Sequence, residues 1–424
     1  MHDAMAPVIL NDDSPFTTLT TKAQLYDSFR QRLQKNGQGK KEDSKKESNP
    51  IEDEDDHDDA PYRSIYWSPS GGTTGASQHV PVDVQENALQ RSMLIPLLLA
   101  GQVYSSQTID ANLFDTGESG FLYRAREIFQ DFVTQCGGTS LPLGWQCPDE
   151  MVLQRCYEFR ANSMSASPSR MAHLSAYVLS RVQQLEQEQE DKQDKEKNQK
   201  ELQILQTVRM RITRGVFACE PLQEARQHVI QQAFPNIRFA SVIGSAEAGC
   251  WGVSLPQPFM AHRVGTGFLY DRRIVSLRVV PVDNDDDHDE EEDQYPLGQL
   301  VVTNHLRQRF PVQNYDTGDL GKVVPASYIC SDPQIIEAVE LALRDHSRSL
   351  RSQALPAGGR EETAFLGGVI LASRAKVAEQ FNIQAHTLSA VELINKSAEL
   401  VWNLAQESTF VLKEDIGPFV NGQV

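Results

Sequence analysis

Apolar residues recur at helical spacing over several long stretches, with short continuous apolar runs between them. Phe16, Leu19, Leu25, Phe29 and Leu33 predict an amphipathic helix or two within residues 14–35, able to lie across a main domain. A helix is predicted from Gln85 to Val103 on Leu89, Met93, Leu94, Leu97 and Leu98, with a kink expected at Pro96. Others are predicted over Phe121–Cys136 and from about Ser169 through Leu174, Tyr177, Val178, Val182 and Leu185. Glu220-Pro221-Leu222 is expected to open a helix through Phe234, with proline at an early helical position. Val208–Phe217, Phe239–Ile243, Ile274–Val282 and Leu297–Thr303 predict strands, and Thr108–Phe114 a strand or loop. Short strands alternating with helices predict an α/β core with mixed sheets flanked by helices.

Polar runs divide this pattern. Residues 36–60 pass from Lys/Glu/Ser into an acidic run ending Asp58-Asp59, which reads as a disordered linker. Residues 186–200 and 283–293 read as solvated insertions. The expected organisation is an N-terminal helical segment (1–35), the linker (36–60), a core (61–330), a helix and linker (331–363) and a short C-terminal subdomain (364–424). The formal net charge of −18 over 424 residues argues against a nucleic-acid partner, which needs a basic face. Six cysteines without a CxxC pair predict reduced thiols rather than disulfides or a structural zinc. The first residues lack a basic then apolar pattern, and the run Met93–Ala100 is too short to span a bilayer. A cytoplasmic protein is expected.

Three motifs carry candidate chemistry. Ser68-Pro69-Ser70-Gly71-Gly72-Thr73-Thr74-Gly75 follows the apolar Ile65-Tyr66-Trp67. Glycines let backbone approach a ligand closely, and successive N–H groups with Ser70, Thr73 and Thr74 hydroxyls suit a phosphate. It is not a Walker loop, since no Gly-Lys-Ser/Thr follows, and a plain polar loop is the competing reading. Gly244-Ser245-Ala246-Glu247-Ala248-Gly249 follows one strand-like run, and Tyr315-Asp316-Thr317-Gly318-Asp319 follows another. Glu247 offers a hard-oxygen ligand for Mg²⁺, or a helix N-terminal carboxylate. Asp319 can accept hydrogen bonds from ribose hydroxyls, or simply form a turn.

In this order the motifs resemble the adenylate-forming ligases, and within them the phenylacetate–CoA ligase branch. Ala218-Cys219-Glu220-Pro221-Leu222 is similar to that family's Gly-Glu-Pro-Leu turn, and Pro296–Thr303 to its Gly-Glu-Leu-Val-hydrophobic-Thr strand. The resemblance implies an ATP- and Mg²⁺-dependent enzyme that converts a small carboxylic acid to acyl-AMP, with coenzyme A as the expected acceptor. It implies that Ser70, Gly71, Gly72, Thr73, Thr74 and Gly75 cradle phosphates, with Thr73, Thr74 and Glu247 catalytic. It places Gly244, Ser245, Tyr315 and Thr317 around the nucleotide, Glu247 on Mg²⁺ and Asp319 on the ribose. The acid would lie near Ser241–Gly252, with Trp251 as a pocket wall or a core residue.

The chain departs from the pattern in places. The first loop continues Gly75-Ala76-Ser77 where the family continues Gly-Lys-Pro, and Ala246 precedes the glutamate where Thr or Ser is common. Asn314 and Asp316 stand where arginines are frequent. Arg374 is a candidate hinge residue, and the C-terminal unit is expected to be truncated. These departures keep open a degenerate nucleotide-binding member without turnover, and acyl transfer from acyl-AMP to a protein or amine.

Overall fold

Helix α1 (Lys22–Gln38) starts where Thr21 and Gln24 cap each other: the Thr21 N–H donates to Gln24 Oε1 (2.9 Å) and the Gln24 N–H to Thr21 Oγ1 (3.4 Å). Strands β1 (Ile65–Pro69) and β2 (His79–Asp83) form an antiparallel pair, Ile65 opposite Asp83 and Pro69 opposite His79. Asp83 is wholly buried and caps α2 (Val84–Ala100), accepting from the N–H groups of Gln85 and Glu86. Pro96 lies inside α2, which continues past it to Ala100. The structure is a computed structural model and describes residues 19–38, 64–69, 79–114, 124–187, 195–262, 265–281, 295–351 and 365–374.

After α2 the chain lays down parallel strands separated by helices. These are β3 (Ile109–Asn112), α3 (Ala125–Gln135), β4 (Thr139–Pro142), α4 (Asp149–Glu158), β5 (Ser163–Ala166), α5 (Pro168–Gln187), α6 (Lys195–Arg211), β6 (Arg214–Phe217), α7 (Glu224–Ala233) and β7 (Arg238–Ser245). Two secondary-structure expectations fail here, at residues 208–211 and at Pro221. Residues 208–211 end a helix rather than begin a strand, because Leu202, Leu205, Val208 and Ile212 are buried at helical spacing. The same helix starts inside the expected insertion at 186–200, of which 188–194 lie outside the described residues. Pro221 precedes α7 instead of opening it.

From β7 onward the connections turn antiparallel: β8 (Gly249–Ser254), β9 (Gly267–Asp271), β10 (Val275–Pro281), β11 (Gly298–Asn304) and β12 (Val312–Val324). Helices α8 (Ala326–Ile329) and α9 (Pro333–Arg351) follow, then β13 (Leu366–Arg374). Together they make one mixed sheet in the order β10-β11-β12-β13-β9-β8-β7-β6-β5-β3-β4, flanked by helices. The α/β expectation with mixed sheets is met. At the start of the expected subdomain 364–424, β13 pairs with β12 on one side and β9 on the other. Its remaining residues, 375–424, lie outside the described residues, as do 39–63 and 282–294. Among the described residues no helix is long and apolar enough to cross a membrane.

Candidate functional site

Glu247 stands in the turn Ala246–Ala248, between β7 and β8, at the place where the sheet changes from parallel to antiparallel. It is therefore a hairpin residue, not a helix N-terminal carboxylate. The Ala248 N–H donates to Ser245 Oγ (3.0 Å) and closes the turn. Behind it, Gln90 Nε2 donates to the carbonyls of Ala248 (2.8 Å) and Cys250 (2.7 Å), and Asn304 Nδ2 donates to Ala248 O (2.7 Å). Gly249 has φ +69°, and a Cβ there would meet the Arg307 guanidinium and the Gln90 amide at 2.7 Å. Arg307 is buried and donates to Asn87 Oδ1 (3.2 Å); burial lowers its proton affinity.

The Tyr315–Asp319 motif does not form a turn between elements. It lies within β12 as a bulge. Gln299 pairs with Leu320 and Val301 with Asp316, so Thr317-Gly318-Asp319 stand opposite Leu300 alone. Gly318, at φ +73°, supplies the left-handed residue the bulge needs. Thr317 Oγ1 donates to Leu300 O (3.0 Å) and accepts from the Asp319 N–H (3.1 Å), while the Gly318 N–H donates to Asp316 Oδ1 (2.8 Å). The hydroxyls of Ser245 and Thr317 thus shape backbone. On the other side of β12 the register pairs Asp319 with Arg374.

Tyr315 links the two motifs. Its hydroxyl donates to Glu247, and burial first, then the Glu247 charge, hold its proton far above the ordinary tyrosine range. Glu247 is itself 4% exposed. Its Oε1 accepts from the Tyr26 hydroxyl (3.2 Å) and pairs with Lys22 Nζ (3.6 Å). Both partners come from the N-terminal segment. Thr20 fastens that segment to β12 through Thr20 N–H to Asn314 O (2.9 Å) and Asp316 N–H to Thr20 O (3.2 Å). Leu25, Tyr26 and Phe29 are the buried residues of α1, with Phe29 edge-on to Phe310 at 5.7 Å.

The fold brings together Gly244, Ser245, Glu247 and Tyr315, with Thr317 and Asp319 further along the same strand. Ser70, Gly71, Gly72, Thr73, Thr74 and Gly75 lie outside the described residues, in the connection between β1 and β2. Trp251 is 4% exposed and packs edge-on to Tyr270, as the core reading has it. Cys219 adopts φ +74°, a conformation glycine favours, and Glu220 is held by Ser169 and by Arg226 (2.8 Å). Lys22, Tyr26, Gln90, Asn304 and Arg307 were not anticipated as neighbours of Glu247.

As the carboxylate stands, Glu247 Oε1 already pairs with the Lys22 ammonium and accepts from the Tyr26 hydroxyl, which a Mg²⁺ ion on that oxygen would have to displace. Among the described residues no group of three or more His, Cys, Asp or Glu side chains could hold a metal ion.

No protein-family model matches the chain, and no curated protein does. Solved structures similar to it include 2-hydroxyisobutyryl-CoA ligase in an open conformation with 2-HIB-AMP and CoA. That match has 13% identity over 63% of this chain and 56% of that one, with a TM-score of 0.43. VinN in complex with L-aspartate matches at 13% over 62% and 58%, TM-score 0.38. A putative long-chain-fatty-acid CoA ligase from Rhodopseudomonas palustris CGA009 matches at 12% over 62% and 57%, TM-score 0.35. The chain spans less than two thirds of the length of each, and overlaps this loose decide nothing about its chemistry.

Proposed function

We propose that this protein activates a small carboxylic acid with ATP and then transfers the acyl group to coenzyme A, as a phenylacetate–CoA ligase-like enzyme. The observation that carries the reading is the convergence of two motifs about 70 residues apart in sequence, with Tyr315 hydrogen-bonded to Glu247. A site for adenylation must hold a polyphosphate, fix a ribose and keep the acid in line with the α-phosphorus. In this reading Asp319, presented by the bulge in β12, accepts from the ribose hydroxyls. Ser70–Gly75 cradle the phosphates, and Gly244, Ser245 and Glu247 form the adjoining wall. A carboxylate oxygen of the acid attacks the α-phosphorus. The bond from that phosphorus to the bridging oxygen breaks, and pyrophosphate leaves with the electron pair. The CoA thiolate then attacks the acyl carbon and AMP departs. The core 61–330 would house the nucleotide together with β13, and an aryl or arylacetic acid would sit near Ser241–Gly252.

ATP–pyrophosphate exchange against aryl, arylacetic, fatty and amino acids tests this. Exchange stimulated by one acid class, and lost in Glu247→Gln and Asp319→Ala, is the expected result. A second reading, a nucleotide-binding protein without turnover, is favoured by the engagement of Glu247 with Lys22 and Tyr26. ATP binding that depends on Asp319, with no exchange for any acid, would select it. Product that forms without CoA when an amine or protein acceptor is added would select acyl transfer instead.

A further inference from the structure

The N-terminal segment is built into the site rather than laid loosely over it. Thr20 hydrogen-bonds to β12 on both sides of Tyr315, the Thr21–Gln24 cap starts α1 at once, and Leu25, Tyr26 and Phe29 anchor the helix by burial. This fixes Lys22 at the first position of α1, with its ammonium 3.6 Å from Glu247 Oε1. An ammonium has three donors and no acceptor. One faces Glu247, and the Lys22 side chain is 27% exposed. A divalent ion on that same carboxylate oxygen would lie close enough to the ammonium for strong repulsion.

Resting on the nucleotide reading above, we infer that Lys22 is a phosphate-binding residue of this site. Its ammonium bridges Glu247 and the nucleotide's phosphates, where a metal ion would otherwise stand. Nucleotide binding then draws its local positive charge from the N-terminal helix and does not need a divalent cation at Glu247. A charge-assisted contact of this kind corresponds to a tenfold or larger change in affinity.

The test is titration of ATP, AMP and adenosine into the full chain, in EDTA and in MgCl₂, for wild type, Lys22→Met, Lys22→Arg and Arg30→Met. Arg30 lies on the same helix, paired with Asp27 on the exposed side, and controls for loss of one charge from α1. Thermal unfolding of each variant checks that α1 stays docked. Wild type is expected to bind ATP comparably in EDTA and in MgCl₂. Lys22→Met should weaken ATP at least tenfold in EDTA, AMP less and adenosine least, while Lys22→Arg retains most of the affinity and Arg30→Met all of it. The inference is overturned if Lys22→Met weakens ATP and adenosine equally, which marks a structural role. It is overturned too if wild type needs Mg²⁺ and Lys22→Met binds Mg-ATP more tightly, which marks Lys22 as a metal competitor. If well-folded wild type binds none of the three ligands, the nucleotide reading itself fails.

Discussion

Asp110 and Glu247 are both buried carboxylates in the same sheet, yet they are solvated by the protein in opposite ways. Asp110 lies in β3, in the parallel half, and accepts from Ser163 Oγ at 2.7 Å; among the described residues no cation pairs with it. Burial pushes its carboxyl up to about 6, against the hydroxyl bonds that favour the charge. The neighbouring Tyr104 is raised by burial and then by Asp110. Glu247 lies at the parallel–antiparallel change and holds an ammonium and tyrosine hydroxyls. The parallel half closes over its polar group, while the other carboxylate is supplied with a counter-charge from a segment about 225 residues away in sequence. A shifted carboxyl does not by itself mark a site. Among the described residues Asp110 meets only hydroxyls, whereas Lys22, Tyr26 and Tyr315 meet at Glu247.

The difference can be broken from either side. Phe29→Ala removes the buried ring that seats α1 against Phe310. Chemical denaturation should show a loss of about 3–5 kcal/mol. Because α1 carries Lys22, nucleotide affinity should fall with it. Asp110→Asn acts on the other half. The folded carboxyl, at about 6, lies above its ordinary 3.8, so the stability it allows is complete below pH 4 and lost as pH rises through 6. That loss is on the order of 3 kcal/mol. Denaturant midpoints between pH 4 and 7 should decline in wild type, and Asp110→Asn should flatten that component.

Smaller effects sharpen the contrast. Thr21→Ala removes one side of the α1 cap and should cost about 1 kcal/mol by thermal unfolding. It should also loosen Lys22, with a modest drop in ATP affinity. Arg155→Ala breaks an exposed pair with Glu158 on α4, far in sequence from either carboxylate. Its effect on stability should be the smallest of the set, and nucleotide binding should not change.

The sheet was legible where pattern is local. The runs Phe239–Ile243, Ile274–Val282 and Leu297–Thr303 became β7, β10 and β11, and Leu174, Val178, Val182 and Leu185 line α5 as their spacing indicates. The Gly244–Gly249 turn was legible because glycine spacing is local too. Lys195–Arg211 was misread in part because its buried Leu202, Leu205 and Val208 are diluted by charge. The bulge at Thr317–Asp319 depends on how many residues the partner strand offers, which β12 alone does not reveal. Lys22 and Tyr26 fall within the helical stretch expected over residues 14–35, but nothing marks them as partners of Glu247, since no local pattern encodes a contact over such separation. The strand Leu366–Arg374 likewise reads as the start of a new unit until its partners β9 and β12 are known.

The most direct measurement is calorimetric titration of ATP into wild type, Asp110→Asn and Glu247→Gln under one buffer. If the site is where the motifs converge, Asp110→Asn binds as wild type does and Glu247→Gln binds at least tenfold more weakly. Wild-type affinity in Glu247→Gln, or equal weakening in both variants, would contradict a nucleotide site at Glu247.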